Sequence, residues 1–246
     1  MLPGINTPGL LIGITSYKRP VQFEWAINLA KVVSSLPINT SWGFSLSKDN
    51  PIAVARNAIA EQALKSKVKY LFFIDDDTAP PDYAVGRLMS ILESDSQIAA
   101  AGGIYFTKSQ PPQPVVGRKF GQGPSWDWKL GEVFECQVLG TGCMMIRADV
   151  FNHIERPWFK EVDEKNPEEN VTSLKMTDDC YFLQKAINAG YKIMADGGTI
   201  PLHWDVNTGE HYSIPVDSPP VRAYEESIKE EKHRLNFTPK EFQHVT

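Results

Sequence analysis

The 246-residue sequence is poor in cysteine, and its three cysteines lack the spacing of a metal or disulfide site. Cys136, Cys143 and Cys180 form no CxxC pair, and no histidine-rich segment accompanies them. An odd count without such companions predicts neither a disulfide framework nor a zinc site. Any reactive chemistry is therefore expected from other side chains.

Long apolar runs are also missing. No window approaches the ~18 apolar residues that a membrane span requires, and no basic segment precedes an apolar stretch near the first residues. From these features we expect a chain without a transmembrane segment, located in the cytoplasm and at most at the periphery of a membrane.

Positive charge is scarce too. The sequence holds 25 Lys and Arg against 30 Asp and Glu, a formal net charge of -5, and no run of four or more basic residues offsets it. Binding of nucleic acid without sequence preference depends on clustered positive charge that neutralises phosphates. Nucleic acid is therefore excluded as the main partner.

What the sequence does contain is an alternation of apolar runs with segments of helical length, which is typical of βα units around a mostly parallel sheet. The pattern predicts a mixed α/β fold flanked by helices, with a C-terminal tail that carries one charged helix at about Val221 to Leu235. This tail is expected to pack on the domain, to cover the site or to help form a homo-oligomer. The expected strands are Leu10–Thr15, Ser41–Leu46, Tyr70–Ile74, Ile98–Tyr105, Glu132–Leu139, Cys143–Arg147 and Lys192–Ala195. The expected helices before the tail are Val21–Ser35, Pro51–Lys65, Tyr83–Glu93 and Asp178–Ala189.

Two segments interrupt this pattern. Lys108 to Trp128 is dense in Pro and Gly and is predicted to be a long loop. Its two tryptophans, Trp126 and Trp128, are expected either to anchor the loop to the core or to contact a substrate. The acidic segment from Glu161 to Ser173 is predicted to be a solvated connector.

Three consecutive carboxylates, Asp75, Asp76 and Asp77, directly follow the apolar run Tyr70–Ile74. Ligands of α/β sheets bind at this carboxyl end of the strands. Side chains at i and i+2 of an extended segment share a face, so Asp75 and Asp77 can address one ligand. A divalent cation such as Mg²⁺, Mn²⁺ or Ca²⁺ would relieve their repulsion. The alternative is an acidic turn ahead of the next helix.

Other candidates are isolated residues for which the pattern leaves two interpretations open. His203 is either a cation ligand, which would favour Mn²⁺, or a packed histidine. Asp178 and Asp179 open a helix and are either capping residues or general bases. Arg56 is either a phosphate or base contact or a surface arginine.

Taken in order, these segments resemble the nucleotide-sugar glycosyltransferases of the GT-A fold, particularly the family 2 type, over roughly Leu10 to His203. The segments that carry the resemblance are Thr15-Ser16-Tyr17-Lys18-Arg19-Pro20 for the opening PTYNRP, Ala55-Arg56-Asn57 for ARN, Phe73-Ile74-Asp75-Asp76-Asp77 for the DxD motif, the glycine-rich Gly140-Thr141-Gly142-Cys143-Met144-Met145-Ile146-Arg147, Thr177-Asp178-Asp179-Cys180-Tyr181-Phe182 for TEDVYF, and Gly190-Tyr191-Lys192-Ile193 with His203 for the closing GYKI and His.

The resemblance implies a single GT-A domain over residues 1–205, with a nucleotide-binding half at 1–105, an acceptor-side half at 106–205 and a tail at 206–246. It implies transfer of a sugar from a UDP- or GDP-sugar to a hydroxyl acceptor, a glycan in particular, with inversion at the anomeric carbon. Mn²⁺ or Mg²⁺ is the implied cofactor.

The same resemblance assigns roles to residues. Asp75, Asp77 and His203 would hold the metal, Asp179 would be the catalytic base, and Asp178 would steer the acceptor or the helix. Acceptor contacts are assigned to Trp126 and Trp128. The donor contacts are assigned to Thr15, Tyr17, Arg19, Arg56, Asn57, Asp75, Asp76, Gly140, Thr141 and Gly142.

The sequence also departs from the family pattern. Asp178 stands where Glu is usual, and the acidic DDGS segment after the second strand is missing, with only Ser45 to Asn50 in its place. One alternative is a haloacid-dehalogenase-like, Mg²⁺-dependent phosphatase, in which Asp75 would be the nucleophile and Asp77 an acid or base. Another is a carbohydrate-binding protein without catalytic activity.

Overall fold

The fold is that of a computed structural model, which describes residues 9–18, 20–166 and 171–236. These residues form a central seven-stranded sheet with helices on both faces and three smaller sheets beside it. The strands are β1 (Leu10–Ser16), β2 (Trp42–Lys48), β3 (Tyr70–Asp75), β4 (Thr78–Ala79), β5 (Ile98–Gly103), β6 (Val116–Gly117), β7 (Val133–Glu135), β8 (Val138–Leu139), β9 (Cys143–Arg147), β10 (Val162–Asn166), β11 (Val171–Met176), β12 (Lys192–Asp196), β13 (Leu202–Trp204) and β14 (His211–Tyr212). The helices are α1 (Phe23–Ser34), α2 (Ile52–Lys65), α3 (Ala84–Ser94), α4 (Val150–His153), α5 (Asp178–Asn188) and α6 (Pro219–Asn236).

The central sheet has the strand order β2-β1-β3-β9-β5-β12-β7. Strands β1, β2, β3, β5 and β12 run in one direction, whereas β9 and β7 run antiparallel to their neighbours. The predicted fold class, a mixed and mostly parallel sheet flanked by helices, is confirmed.

Strand β1 shows how the sheet is covered on both faces. Leu10 and Ile12 point into a core cluster with residues of α1 and α3, whereas Leu11 points into a second cluster with residues of α2 and α5. A side chain at Gly13 would lie 2.6 Å from Cγ2 of Ile59, so glycine lets α2 approach the strand closely. Burial on both faces explains why these strands are continuous apolar runs.

The second half of the chain departs from the prediction at two strands. The expected strand Glu132–Leu139 is divided into β7 and β8, because β8 leaves the central sheet to pair with β6, inside the expected loop. The expected connector from Glu161 to Ser173 is wrong: its backbone belongs largely to β10 and β11, which pair as an antiparallel ladder. The acidic side chains hid this pattern, since strand propensity is judged from β-branched and aromatic residues.

Two more helices, α4 and α6, lie in the second half of the chain. The four-residue helix α4 was not predicted, because it is too short to show a helical period. The predicted tail helix is confirmed as α6, and β14 pairs with β13 next to β4. The division into a domain at 1–205 and a tail at 206–246 stays a prediction.

Candidate functional site

A cavity of about 230 Å³ lies at the carboxyl ends of β1 and β3. These parallel strands end side by side, with Thr15 in register with Asp75. The small strand pair β13–β4 adds His203 opposite Thr78. The cavity is lined by Thr15, Ser16, Tyr17, Asn50, Ile52, Arg56, Asp75, Asp76, Asp77, Tyr105 and His203. The fold thus gathers seven of the predicted site residues: Thr15, Tyr17, Arg56, Asp75, Asp76, Asp77 and His203.

Arg56 lies at the centre of a buried ionic network below this cavity. Its Nη1 donates to both carboxylate oxygens of Asp178, at 2.8 and 2.9 Å, and its Nη2 donates to Asp75 at 3.1 and 3.3 Å. Asp75 also accepts a hydrogen bond from Thr15 Oγ1 at 2.8 Å. The network fixes the guanidinium and the Asp75 carboxylate in one orientation. The sequence had left a surface position open for Arg56, which is only 5% exposed.

The network contains more carboxylates than cations. Burial lowers the pKa of Arg56. The negative charges of Asp75, Asp178 and Asp179 together raise this pKa by more than burial lowers it, so that it lies above its ordinary value. Burial raises the pKa of Asp178, the pull of Arg56 lowers it, and repulsion by Asp179 raises it again, with a net increase. One guanidinium therefore compensates more than one carboxylate.

Asn57 does not belong to the cavity, although the sequence assigned it to donor binding. Its side-chain amide donates to the carbonyls of Ala53 and Phe159, and its oxygen accepts from the backbone N–H groups of Trp158 and Phe159. Successive helical residues lie about 100° apart around the axis. Arg56 and Asn57 therefore face different sides, and Asn57 holds the segment around Phe159 against α2.

Asp77 and His203 form a second polar group on the opposite side of the cavity. His203 Nδ1 lies 2.7 Å from the carbonyl oxygen of Phe106, which can only accept, so Nδ1 donates and Nε2 carries the lone pair of the neutral ring. Nε2 lies 3.6 Å from Asp77 Oδ2. Lys108 Nζ contacts the same oxygen at 2.5 Å.

This arrangement fits a divalent cation in part. A histidine that donates through one ring nitrogen to a carbonyl is oriented to bind a metal through the other. However, no group of three or more acidic, histidine or cysteine side chains within the described part of the chain is placed to share a cation. Asp75 is bound by Arg56 instead. Of the three predicted ligands, Asp77 and His203 thus lie together, whereas Asp75 belongs to the Arg56 network, and the metal site stays a prediction.

The glycine-rich segment lies beneath the cavity and does not line it. A Cβ at Gly140 would lie 2.0 Å from the Tyr105 hydroxyl, and one at Gly142 would lie 2.7 Å from Thr78 Oγ1 and 3.2 Å from Asp75 Oδ2. Thr141 is fully buried. The predicted donor contacts of Gly140, Thr141 and Gly142 are thus not supported. The two glycines are needed because Tyr105 and the aspartate turn pack directly on them.

Asp178 and Asp179 begin α5, but they occupy different environments. Asp178 is 4% exposed and bound to Arg56. Asp179 is less buried, and its Oδ1 accepts from the Thr177 hydroxyl and, at 2.8 Å, from the Cys180 N–H. Asp179 also influences the pKa of Tyr105, which burial raises well above its usual value with help from Asp75 and Asp179. Asp179 does not line the cavity, but it directly follows Asp178, whose carboxylate binds the cavity-lining Arg56.

The two tryptophans of the long loop anchor it to the core. Trp128 is 3% exposed, stacks on Phe134 with ring centroids 6.5 Å apart, and donates from its indole nitrogen to the Ser125 carbonyl. Trp126 is partly buried against Phe106, and its indole donates to Gln113. These contacts favour the anchoring interpretation over acceptor contact.

Several residues that shape the cavity were missed. Trp25 donates from its indole nitrogen to the carbonyls of Asp75 and Thr78, each at 3.0 Å, and so holds the aspartate turn. Tyr105 and Lys108 reach the cavity from the segment after β5. No sequence motif marks these two residues, because their position depends on how the segment after β5 folds back towards the cavity. Arg19, a predicted donor contact, lies outside the described residues.

A larger cavity, of about 510 Å³, lies on the outer face of α2 beside Arg156 and Trp158. Its only candidate site residue is Asn57, which is fully occupied by backbone partners. Volume alone therefore points away from the charged groups, and the smaller cavity is the better candidate for chemistry.

Comparisons with known proteins agree with the fold. No family model and no curated protein matches this chain. Among solved structures, 172 chains match. One is the crystal structure of A197 from STIV, with a TM-score of 0.59 and 16% identity over 85% of this chain and 95% of that chain. At this identity the likeness shows the fold alone, a mixed α/β fold.

The helices were also compared with the requirements of a membrane span. Within the ranges described above, no helix combines the length and the apolar character needed to cross a bilayer.

Proposed function

We propose that this chain is a glycosyltransferase that moves a sugar from a nucleoside diphosphate sugar to a hydroxyl acceptor. The observation that carries the proposal is the cavity itself. It joins a fixed Arg56–Asp75 pair to the Asp77–His203 pair at the carboxyl ends of β1 and β3. Ligands of open α/β sheets bind at this place.

The walls of the cavity suit the parts of such a donor. Tyr17 is 49% exposed at the cavity and offers a ring on which a base can stack. Asp75 keeps one fifth of its side chain exposed and can accept from a ribose hydroxyl while Arg56 holds it in place. Both UDP and GDP are candidate nucleotides, since the segment from Ser45 to Asn50 lacks the DDGS motif of the family.

Asp77 and His203 are the residues that would hold Mn²⁺ or Mg²⁺ at the diphosphate. When bound, the cation supplies Lewis-acid stabilisation of the charge that develops on the leaving diphosphate. Mg²⁺ commonly takes only one or two carboxylates from the protein and the remaining ligands from phosphate and water. Two protein ligands are therefore compatible with this role. Substituting His203 with Gln should weaken Mn²⁺ binding by more than about tenfold.

Asp179 is proposed as the base that accepts the acceptor proton. Asp178 is occupied by Arg56, so it acts as a positioning residue for the guanidinium. The Thr177 hydroxyl and the Cys180 N–H donate to Asp179 Oδ1 and fix the orientation of this carboxylate at the start of α5. A carboxylate within hydrogen-bond reach of the attacking hydroxyl is what general-base catalysis requires.

Calorimetry with UDP and GDP tests donor binding. We expect binding in Mn²⁺ or Mg²⁺ that is lost in EDTA and in Asp77→Asn, and that is retained in the matched control Asp217→Asn, whose carboxylate is exposed far along the chain. Equal affinity in EDTA would contradict the metal role. Failure of both nucleotides to bind would contradict the donor assignment.

Turnover separates the proposal from its rivals. A transferase should release nucleoside diphosphate from a matching sugar donor, faster when an acceptor is added. The phosphatase alternative is disfavoured because Asp75 is bound by Arg56 and Thr15, and because Asp178 and Asp179 begin a helix and do not end an apolar strand. Hydrolysis of a phosphate monoester that depends on Asp75 would revive it. Binding without turnover of any donor would favour the carbohydrate-binding alternative.

A further inference from the structure

The exposed apolar side chains of this protein are concentrated at one end of the central sheet. Of the large apolar residues with high exposure, most fall between Tyr17 and Val54, and three of them alternate along the edge strand β2. These are Trp42, Phe44 and Leu46, with 45%, 49% and 63% of their surface exposed. We call them the β2 row. The functional cavity does not use these side chains.

Within the described residues, the outer edge of β2 has little of the usual protection of an edge strand. Strand β2 is the terminal strand of the sheet and pairs with β1 along seven residues without a register shift. It contains no proline and no charge before Lys48. Natural edge strands are normally short, charged, bulged or covered. The opposite edge strand β7 is only three residues long and ends on Glu135.

The outward-facing backbone groups of β2 belong to the β2 row and to Lys48, whose carbonyl already accepts from the Asn50 side chain. Leu10 N–H donates to the Ser41 carbonyl, and Asp49 N–H donates to the Ser16 carbonyl, so odd-numbered positions of this segment face β1. Backbone groups alternate in direction along a strand. The N–H and C=O groups of the β2 row therefore point away from β1, where no strand among the described residues pairs with them.

We propose that the occupant of this edge is a second copy of the chain, paired through antiparallel β2 strands about a two-fold axis. A row of three residues centred on Phe44 is complementary to itself under such an axis. Phe44 would face Phe44 of the partner subunit, and Trp42 would face the partner's Leu46. All three positions carry outward N–H and C=O groups, so each facing pair can exchange two hydrogen bonds.

The expected dimer is of modest strength. The exposed surface of the β2 row is on the order of 300 Å² per copy, which is below the roughly 800 Å² per partner of a standard interface. Backbone hydrogen bonds and neighbouring apolar residues, such as Ile38, which is 92% exposed, add to it. We therefore expect a dissociation constant in about the micromolar range.

A two-fold axis at Phe44 allows an experiment that distinguishes this dimer from a nonspecific apolar contact. Phe44→Lys places like charges opposite each other, and so does Phe44→Glu, so each variant alone should weaken the dimer by at least about tenfold. An equimolar mixture should restore it, because Lys and Glu then face each other. Sedimentation velocity over a concentration series measures both effects, and a thermal melt establishes that each variant is folded.

Val216→Lys is the matched control, since Val216 is 85% exposed and lies outside β2. It should leave the dimer unchanged. A monomeric wild-type chain at about 100 μM, a dimer that tolerates Phe44→Lys, or a mixture that remains monomeric would each overturn the proposal. Monomers whose flotation with phosphatidylcholine vesicles depends on Phe44 would overturn it in favour of a lipid surface. A dimer lost on removal of α6 but not on Phe44→Lys would assign the contact to the tail.

Discussion

The buried network around Arg56 predicts an unusual response to mutation. Replacing Arg56 with Met removes the cation but leaves Asp178, with 4% of its surface exposed, facing an apolar side chain. Breaking a buried ion pair in this way typically costs about 3 to 5 kcal/mol. Four hydrogen bonds are lost, two to Asp178 and two to Asp75, but Asp75 keeps Thr15 and some access to water. We therefore expect about 3 to 5 kcal/mol at pH 7.

The penalty should depend on pH in a defined direction. The pKa of Asp178 is already raised in the native protein because burial outweighs the pull of Arg56, and removing Arg56 raises it further. A carboxyl group with a raised folded-state pKa favours the native state below its unfolded pKa of about 3.9, and this contribution is lost as pH rises through the folded pKa. Relative to wild type, the Arg56→Met variant should therefore lose up to about 1.4 kcal/mol per pH unit between the folded-state pKa of Asp178 in wild type and its higher pKa in the variant.

A second substitution should partly restore stability. In Arg56→Met/Asp178→Asn the buried charge is gone while the shape of the side chain is kept, so the double variant should be more stable at pH 7 than Arg56→Met alone, by about 1 to 3 kcal/mol. Urea unfolding followed by tryptophan fluorescence at pH 5 and pH 7 measures these differences. A double variant less stable than Arg56→Met, or a single variant within about 1 kcal/mol of wild type, would refute the reasoning.

Three further predictions concern the cavity and the thiols. Lys108→Met should strengthen Mn²⁺ binding in calorimetry, because Lys108 Nζ contacts the Asp77 oxygen that the cation would take; unchanged affinity would mean that the two do not compete. Asp179→Asn should lower transfer by ~10² to 10⁴ with nearly unchanged donor affinity and melting temperature, whereas a mere helix cap would lose stability and keep activity. Burial raises the pKa of the Cys136 and Cys143 thiols to about 12, so a disulfide reagent at pH 8 should label them only after unfolding, and fast labelling of the native protein would contradict their burial.

The first half of the fold could be predicted because its signals are local. The run Tyr70–Ile74 is apolar on both faces, so it had to be an inner strand, and the aspartates after it had to lie at the ligand-binding edge. Strand β11 gave no such signal, since its partner is an acidic strand and the pair lies outside the central sheet. A pattern of apolar residues predicts a strand only where the strand forms by burying those residues.

The sequence predicted seven of the residues that line the candidate cavity, but not the contacts between them. Adjacent residues of a helix cannot both face one cavity, so the choice between Arg56 and Asn57 was available from helical geometry alone. The hydrogen-bond partners of Asp75 and Asp77 could not be predicted from the sequence. Asp77 binds Lys108, which follows β5, and Arg56 joins Asp75 to Asp178, which lies 122 residues after Arg56. Only the packed fold brings these residues together.

The ion pairs at the cavity indicate which protein cation would move when a donor binds. The carboxylates at the cavity are divided between two protein cations: Arg56 compensates Asp75 and Asp178, and Lys108 compensates Asp77. Arg56 is buried and held on two sides, whereas 23% of the Lys108 side chain is exposed and its one ion pair among the described residues is with Asp77. Lys108 would therefore be the residue that releases Asp77 and turns to a donor phosphate, whereas Arg56 would stay bound to Asp75 and Asp178. Under the proposed function, donor binding would exchange one compensating charge while the Arg56 network stays intact.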